Sequence, residues 1–269
     1  MSTYFNNKVV WITGASSGIG EALAIELSSR GAQLILSARN TDKLEAVKSS
    51  LSNPDKATVI RVDMMDEEMV DKVAAQVKAD YPNLFMLINN AGRSQRSNVI
   101  DTDYHVYKDL MKLNYFSVVQ LTKQVLPLFY RNKEGHYITI SSLAGKIGAP
   151  YRSGYAASKH ALHGFFDCLR SEAWHHNVIV TMICPGFVNT PIAHNSVSGD
   201  GSKIGKSDPD NANGMSPEYV AKSICNAAES RKEELMLGGK ELMGVRLKRV
   251  FPGLLRSILK KRSKESFGN

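Results

Sequence analysis

The chain has 269 residues, 43% of them hydrophobic, so it can bury a full core and is not a disordered protein. No apolar run approaches the roughly 20 residues of a membrane span, and the polar N-terminus lacks the apolar stretch of a signal peptide. The formal net charge is +8, but residues 240–269 contain nine Lys or Arg and two Glu, so this tail carries +7. A nearly neutral globule with a basic tail is not typical of a nucleic-acid-binding protein, and we expect no such partner.

The first predicted element is a strand over residues 8–13, whose lack of polar alternation indicates burial on both faces of a parallel sheet. It leads into the segment Gly14-Ala15-Ser16-Ser17-Gly18-Ile19-Gly20. A helical pattern then extends to Gly31. Strand, glycine loop and helix in this order predict a phosphate site, where small residues admit a pyrophosphate and helix N–H groups bind it. A plain turn between strand and helix would also explain the glycines.

A second buried strand is predicted over residues 33–37, and Arg39 follows it. NAD-binding units carry an acidic residue near this position, which bonds the ribose and would repel a 2′-phosphate. Arginine can instead bind a phosphate through two parallel hydrogen bonds, so we expect NADP(H) as the cofactor. The alternative is a solvated arginine that opens the next helix.

Helix and strand continue to alternate. Helices are predicted over residues 41–51, 66–80, 102–129, 154–174 and 217–230, and strands over 57–62, 84–88, 136–140, 178–183 and 234–237. This alternation predicts an α/β fold, a Rossmann-like doubly wound parallel sheet of about seven strands with helices on both faces, in a single domain. We assign residues 1–239 to this NADP-binding domain and residues 240–269 to a basic amphipathic tail.

Polar sequences follow the predicted strands: the glycine loop, Asp63, Asn89-Asn90-Ala91-Gly92, Ser141-Ser142 and Cys184-Pro185-Gly186. The carboxyl ends of parallel strands share one edge, where open α/β sheets bind ligands. Residues 190–215 come after the last of these sequences and are long and polar, which predicts either a lid over a substrate or a disordered surface loop.

Tyr155 and Lys159 lie four residues apart, on one face of a predicted helix. Tyrosine is a poor acid near pH 7, with a reference pKa of about 10, and a nearby ammonium favours the phenolate. The pair is a candidate for proton transfer, although two ordinary surface residues would give the same spacing.

With these residues in view, the chain resembles the short-chain dehydrogenase/reductase family over residues 7–238. The motifs that carry the resemblance are the glycine loop with Thr13, Asn89-Asn90-Ala91-Gly92, Ser142, Tyr155 with Lys159, and Pro185-Gly186 with Thr190. The resemblance implies an oxidoreductase that transfers a hydride between NADP(H) and a carbonyl or secondary alcohol. The alternative is a catalytically idle NADP-binding regulatory or membrane-docking protein, which would need the glycine loop but not the catalytic residues.

The resemblance also implies catalytic roles. Tyr155 is the general acid in reduction and the base in oxidation, and Ser142 hydrogen-bonds the reacting oxygen. Lys159 binds the nicotinamide ribose and lowers the pKa of Tyr155. Asn114, in a distorted part of its helix, holds a water that relays protons to Lys159.

Further residues are expected around the cofactor. Ser16 and Arg39 would hold the 2′-phosphate, Asp63 the adenine, and Val188 with Thr190 the nicotinamide amide. The full implied set is Gly14, Ser16, Ser17, Gly18, Ile19, Gly20, Arg39, Asp63, Asn90, Ala91, Gly92, Tyr155, Lys159, Pro185, Gly186, Val188 and Thr190.

Within the family, the segment Ser94-Gln95-Arg96-Ser97, residues 158–166 and the basic tail are similar to the branch of membrane-associated steroid and retinoid dehydrogenases. This similarity implies a lipophilic substrate. The family resemblance further implies a homodimer or homotetramer in which the Tyr155 helix packs against its copy. Phe165, Phe166 and Leu169 are candidates for that contact or for the core.

The tail and the cysteines complete the sequence predictions. Apolar and basic residues alternate over 240–264 in a helical pattern with a break at Pro252-Gly253. The pattern fits either packing beside the substrate entrance or peripheral contact with an anionic membrane.

Cys168, Cys184 and Cys225 form no close pair, which predicts buried free thiols in a reducing cytoplasm. The seven histidines lack a metal-ligand pattern, so we expect them at surface, interface or helix-end positions and expect no metal.

Overall fold

A computed structural model describes residues 3–206 and 209–265, except the side chains of residues 262, 264 and 265. The parts of the predicted domain, loop and tail that fall on residues 1–2, 207–208 and 266–269 lie outside the described residues. Within the described ranges, no helix combines the length and the apolar character that a membrane crossing requires.

The described residues form one sheet of seven parallel strands. The strands are β1 (Val9–Thr13), β2 (Gln33–Ala38), β3 (Ala57–Arg61), β4 (Leu84–Asn89), β5 (Gly135–Ile140), β6 (Val178–Pro185) and β7 (Glu234–Leu237). Their order across the sheet is β3-β2-β1-β4-β5-β6-β7. The chain thus winds outwards from β1 in one direction and from β4 in the other, and a ligand crevice is expected between these two strands.

Ten α-helices accompany these strands in the described chain. They are α1 (Gly18–Ser29), α2 (Thr41–Ser49), α3 (Glu67–Asp80), α4 (Tyr104–Met111), α5 (Ser117–Asn132), α6 (Ser153–Ala173), α7 (Pro209–Ala212), α8 (Pro217–Glu229), α9 (Glu241–Val250) and α10 (Pro252–Glu265).

The sheet has a hydrophobic core on each face, and β1 shows why its sequence does not alternate. Val10 and Ile12 pack into the core that includes α1 and α8, whereas Val9 and Trp11 pack into the core that includes α3, α5 and α6. Successive side chains of a strand point to opposite faces, so a strand covered on both sides is apolar throughout. The predicted α/β fold with a doubly wound parallel sheet is confirmed.

The long helix predicted over residues 102–129 differs from the structure at its end. A π-helical segment, Lys112–Phe116, separates α4 from α5 and contains Asn114, so the predicted distortion at this residue is present. The predicted end at residue 129 was wrong, since α5 continues to Asn132. Pro127 forfeits one backbone hydrogen bond, but buried Leu128 and Phe129 keep the following turn packed on the core.

The segment 190–215 packs on the globule in its described part. Ala193, Ser196 and Val197 are buried, and Val197 forms a β-bridge with Gln95. These contacts favour the lid alternative over a disordered surface loop.

The tail also packs on the globule. α9 and α10 meet at Phe251, so the predicted break at Pro252 is present. The Lys248 ammonium donates to the Lys146 carbonyl oxygen (2.7 Å), and the Tyr151 phenol donates to the Ser263 carbonyl oxygen (3.1 Å). Leu255 is buried.

Candidate active site

The loop after β1 is shaped for close approach of a ligand to the backbone. Gly14 and Gly18 have φ angles of +65° and +60°, in the left-handed region that glycine adopts readily. A Cβ on Gly20 would lie 2.3 Å from the Gly14 carbonyl oxygen, so a side chain does not fit there. Ser17 is the N-cap of α1, yet in the described structure its side chain caps no N–H group. The first N–H groups of α1 can therefore bind an anion.

Asn90 holds this loop against the end of β4. Its side-chain amide donates to the carbonyl oxygens of Thr13 and Gly14, each at 3.0 Å. The Thr13 hydroxyl oxygen accepts from the backbone N–H groups of Asn90 (3.1 Å) and Ala91 (3.2 Å). These bonds join the carboxyl ends of β1 and β4, where the strand order reverses.

A cleft of about 1300 Å³ runs along this edge of the sheet. At one end it is lined by Ser16, Arg39 and Asp63, as predicted, and also by Lys43. Lys43 lies in the first turn of α2, where its backbone N–H donates to the Asn40 side chain (2.9 Å). Two cations and a serine at this end suit an adenosine phosphate.

The other end of the cleft brings Ser142 and Tyr155 together. Ser142 follows β5, and its hydroxyl accepts from the Ala144 N–H (3.1 Å) and donates to the Pro185 carbonyl oxygen (3.4 Å). Burial raises the pKa of Tyr155 above its ordinary value of 10.0, while a hydrogen bond with Ser142 and the charge of Arg152 oppose this rise. The phenol therefore keeps its proton near pH 7 in this arrangement.

Lys159 lies one turn along α6 from Tyr155 and is also buried. Its ammonium donates to the Ile140 carbonyl oxygen (2.7 Å) and lies 5.9 Å from the centroid of the Tyr155 ring. Burial lowers the pKa of Lys159 from 10.5 to about 8. The expectation that Lys159 lowers the pKa of Tyr155 does not describe this arrangement, because burial dominates and the opposing cation is Arg152.

Asn114 lies behind this wall of the cleft and is fully buried. Its side-chain oxygen accepts from the Arg93 N–H, and its amide donates to the Arg93 carbonyl oxygen, both at 2.9 Å. A Cβ on Gly92 would lie 3.1 Å from the Asn114 oxygen and 3.5 Å from the Lys159 nitrogen. The amide and the ammonium therefore border the same small space.

Gln95 is a contributor that the sequence reasoning missed. It is fully buried, and its side-chain oxygen accepts from the N–H groups of Gly154 (2.7 Å) and Tyr155 (3.3 Å). Gln95 thus caps the first turn of the helix that carries Tyr155. In the sequence, Gln95 carried only the similarity to one branch of the family. No local pattern links it to Gly154, which lies 59 residues further along the chain.

The tail supplies another unpredicted contact. The Phe187 N–H donates to the Glu241 carboxylate (3.4 Å), and a Cβ on Gly186 would lie 2.2 Å from the same oxygen. Beyond Glu241, apolar residues of α9 and α10 line the cleft: Met243, Leu247, Leu255, Ile258 and Leu259. The tail therefore forms part of the cleft wall.

The other predicted residues divide into two groups. The following line the cleft: Gly14, Ser17, Ile19, Asn90, Ala91, Gly92, Pro185, Gly186, Val188 and Thr190. Gly18, Gly20 and Asn114 shape it from behind; a Cβ on Gly18 would lie 3.1 Å from the Thr190 side chain. The glycines that exclude side chains and the uncapped start of α1 fit a dinucleotide cofactor, which Ser16, Arg39, Tyr155 and Lys159 would hold.

Two sequence expectations need correction, and one open alternative is decided. Cys184 and Cys225 are buried free thiols as expected, but Cys168 is exposed. Phe166 and Leu169 are buried in the core, which is one of the two roles that the sequence left open for them. The seven histidines were assigned to surface, interface or helix-end positions, yet His136 and His163 are buried, and His163 lies beside Cys184 and Glu234.

Comparison with known proteins gives a consistent result. The model of the short chain dehydrogenase family matches residues 8–201. The bovine (Bos taurus) protein Dehydrogenase/reductase SDR family member 7B is 38% identical over 273 residues, which cover 98% of this chain and 84% of the relative.

Solved structures show the same fold. A short chain dehydrogenase/reductase from Burkholderia phymatum in complex with NAD matches with a TM-score of 0.82 at 23% identity, covering 94% of this chain and 96% of that chain. A short chain dehydrogenase from Burkholderia cenocepacia in complex with NADP matches with a TM-score of 0.78 at 21% identity, covering 96% and 99%.

Proposed function

The chain belongs to the short-chain dehydrogenase family and is an oxidoreductase with a nicotinamide cofactor site, and we propose that it transfers a hydride between NADP(H) and a lipophilic carbonyl or secondary alcohol. The observation that carries this proposal is that Ser142, Tyr155 and Lys159 line the same cleft, with Ser142 near enough to Tyr155 to oppose the rise in its pKa that burial causes and Lys159 one turn further along α6. The idle alternative requires none of these three residues in this arrangement.

The chemistry follows from the side chains. The bound cofactor supplies or accepts the hydride. During carbonyl reduction, negative charge develops on the substrate oxygen, where the Ser142 hydroxyl donates a hydrogen bond and Tyr155 donates the proton. The raised pKa of Tyr155 supports this role as an acid, because the phenol is protonated near pH 7. In the oxidation direction Tyr155 accepts the proton, which is the less favoured task at neutral pH.

Lys159 and Asn114 lie behind Tyr155 and support its role as proton donor. Their polar atoms border the space beside Gly92. We assign Lys159 to the nicotinamide ribose and Asn114 to a water that relays protons to Lys159. Asn114 also holds the backbone of Arg93, so it fixes the loop that passes over this space.

The preference for NADP(H) rests on charge at the adenosine end. Arg39 and Lys43 line this end, and the residues between β2 and α2, Arg39 and Asn40, include no acid of the kind that NAD-binding units carry near this position. The 2′-phosphate would interact with both cations and with Ser16. Asp63, at the same end, is assigned to the adenine.

The proposal of a lipophilic substrate is supported by the apolar side chains of the outer cleft walls. Apolar side chains line this region from two sides: Leu143 and Ile147 after β5, and the five residues of α9 and α10 named above. A largely apolar wall with a few polar groups at the reacting end is the usual form of a small-molecule site.

Peripheral contact with an anionic membrane is part of the proposal. Met243, Val250, Phe251, Leu254 and Ile258 are exposed on α9 and α10. The same helices carry the exposed basic residues Arg246, Lys248, Arg249, Arg256, Lys260 and Lys261. Exposed apolar groups can enter the lipid boundary while basic groups bind anionic headgroups. Because these helices also line the cleft, membrane contact would place the substrate entrance beside the lipid. The protein would then be cytoplasmic and peripheral to that membrane. Assembly into a homodimer or homotetramer stays a prediction.

Replacing Tyr155 with Phe tests the reaction. Oxidation of NADPH is followed with a panel of lipophilic ketones for the wild type, Tyr155→Phe and the exposed control Tyr219→Phe. Because the proton donor is lost, we expect Tyr155→Phe to lower kcat by about 10²- to 10⁴-fold, with the control unchanged. Turnover near the wild-type rate in Tyr155→Phe would overturn the assignment. Cofactor binding without turnover of any ketone or alcohol would favour the idle alternative.

A further inference from the structure

Three side chains with metal-binding atoms converge behind the catalytic edge. His163 of α6, Cys184 of β6 and Glu234 of β7 each present one such atom, and the three atoms lie within 4.8 Å of one another. His163 Nε2 is 3.7 Å from Cys184 Sγ, and His163 Nδ1 is 4.0 Å from Glu234 Oε2. The three residues come from distant parts of the chain, so sequence spacing gives no sign of the cluster.

The His163 ring is not satisfied by the protein. The side chain is buried, and among the described residues its Nδ1 has no hydrogen-bond partner. Nε2 lies 3.0 Å from the Ser141 hydroxyl and is satisfied by it in either ring tautomer. Nδ1 faces the Glu234 carboxylate at 4.0 Å, beyond hydrogen-bonding distance. A buried ring nitrogen without a partner is unfavourable, and an ion between Nδ1 and the carboxylate would satisfy both groups.

We propose that His163, Cys184 and Glu234 bind one divalent ion of the zinc class, at a stabilising site separate from catalysis. A ring nitrogen, a thiolate and a carboxylate are ligands that zinc accepts, while the sulfur disfavours magnesium and calcium. The ligand atoms of the three residues lie within 4.8 Å of one another, so small side-chain movements would bring them to the bond lengths of about 2.0 to 2.3 Å that zinc requires. Glu234 is partly exposed and gives the ion a path from solvent.

Lys146 competes with this ion for the Glu234 carboxylate. Its ammonium forms an ion pair with the Glu234 carboxylate. The ion would displace this ammonium, which is itself partly exposed and can move into solvent. Removing the Lys146 charge should therefore tighten metal binding, whereas removing a ligand should weaken it. Weaker binding on replacement of His163 separates a built site from general attraction of cations to an acidic surface, because the His163 ring is neutral near pH 7 and its loss leaves the charge unchanged.

The site would connect three elements that support the catalytic residues. His163 lies one turn beyond Lys159 on α6, and Cys184 precedes Pro185, whose carbonyl oxygen accepts from Ser142. Binding to the folded chain alone raises its stability by mass action. The expected consequence is a higher melting temperature, which is independent of turnover and of the proposed function.

Cobalt(II) is a suitable probe, because a thiolate ligand gives it a charge-transfer absorption band. We would titrate Co²⁺ into the full-length, tag-free chain carrying Cys168→Ser, which removes the exposed thiol. We expect one equivalent to bind with this band. Cys184→Ser should abolish the band, and Cys225→Ser, at a buried thiol elsewhere, should retain it. Glu234→Gln and His163→Gln should weaken binding by about 10- to 100-fold or more, whereas Lys146→Met should strengthen it.

Two results would overturn the proposal. One is absence of the thiolate band in the parent protein, and the other is its persistence in Cys184→Ser. Should Cys184→Ser fail to fold, His163→Gln decides the question through the affinity. A parallel measurement of melting temperature with Zn²⁺ should show a rise in the parent and none in His163→Gln, and an equal rise in both would refute the site.

Discussion

The ammonium of Lys159 donates a hydrogen bond to the main-chain oxygen of Ile140 at 2.7 Å. This bond ties helix α6, which carries Tyr155, to the end of β5, two residues before Ser142. A buried ammonium with a carbonyl partner is stabilised less than in water, which is why the pKa of Lys159 falls to about 8. The amine is thus close to its titration point near neutral pH.

Replacing Lys159 with Met should remove the free-energy cost of burying its ammonium, and the resulting change in stability should depend on pH. The pKa of Lys159 falls from an ordinary 10.5 to about 8 on folding, so between these values the unfolded chain binds more protons. The free energy of unfolding contributed by Lys159 should therefore rise with pH across this window, and its full penalty is present below about pH 8. Urea denaturation of wild type and Lys159→Met at a series of pH values measures the difference. Lys222→Met, at an exposed position, controls for loss of a lysine, and a flat difference between pH 8 and 10.5 would contradict the prediction.

Gln95 should act as a positioning residue for Tyr155. Gln95→Met keeps the length of the side chain but removes the acceptor for the N–H groups of Gly154 and Tyr155. A small displacement of the tyrosine should lower kcat by about 10- to 100-fold with little change in the KM for NADPH. Gln95→Glu retains an acceptor oxygen and should recover most of kcat. If Gln95→Glu is as slow as Gln95→Met at equal folded fraction, the cap does not position Tyr155.

Arg39 should discriminate between the two cofactors. Loss of a charge-assisted hydrogen bond costs about 1.5–3 kcal/mol, so Arg39→Ala should weaken NADPH binding by about 10- to 100-fold and leave NADH binding nearly unchanged. Fluorescence titration of both cofactors gives the two dissociation constants. Arg61→Ala, on the neighbouring strand and away from the cleft lining, is the matched control. Equal losses for both cofactors would show that Arg39 does not bind the 2′-phosphate.

The tail should bind anionic vesicles through both charge and apolar contact. Full-length protein is sedimented with vesicles of phosphatidylcholine alone or with phosphatidylserine. Replacing Arg249 and Arg256 with Gln removes two charges, each worth about 1 kcal/mol near an anionic surface, so the affinity should fall by about 30-fold. Leu254→Glu should also weaken binding, whereas Trp174→Glu, at an exposed residue at the far end of α6, should not. Equal binding to both vesicle types would exclude the anionic membrane as partner.

The local predictions succeeded where the signal lies within one element. The run of β-forming residues before Gly14, the segment after β4 and the spacing of Tyr155 and Lys159 each specify an element and its neighbour along the chain. The end of α5 was predicted too early because the core contacts of Leu128 and Phe129, which sustain the helix as far as Asn132, depend on tertiary packing.

The sequence by itself determined the fold class and the family, and it pointed to candidate site residues at one edge of the sheet, because β-α alternation and the motifs at strand ends are local and ordered along the chain. Only the tertiary structure decided which distant groups meet: Gln95 at the start of α6, Glu241 beside Gly186, and Cys184 with Glu234 beside His163. It also reversed the expected pKa shift of Tyr155. Burial and contact between remote segments depend on how helices pack on the sheet, and that packing is a property of the whole chain.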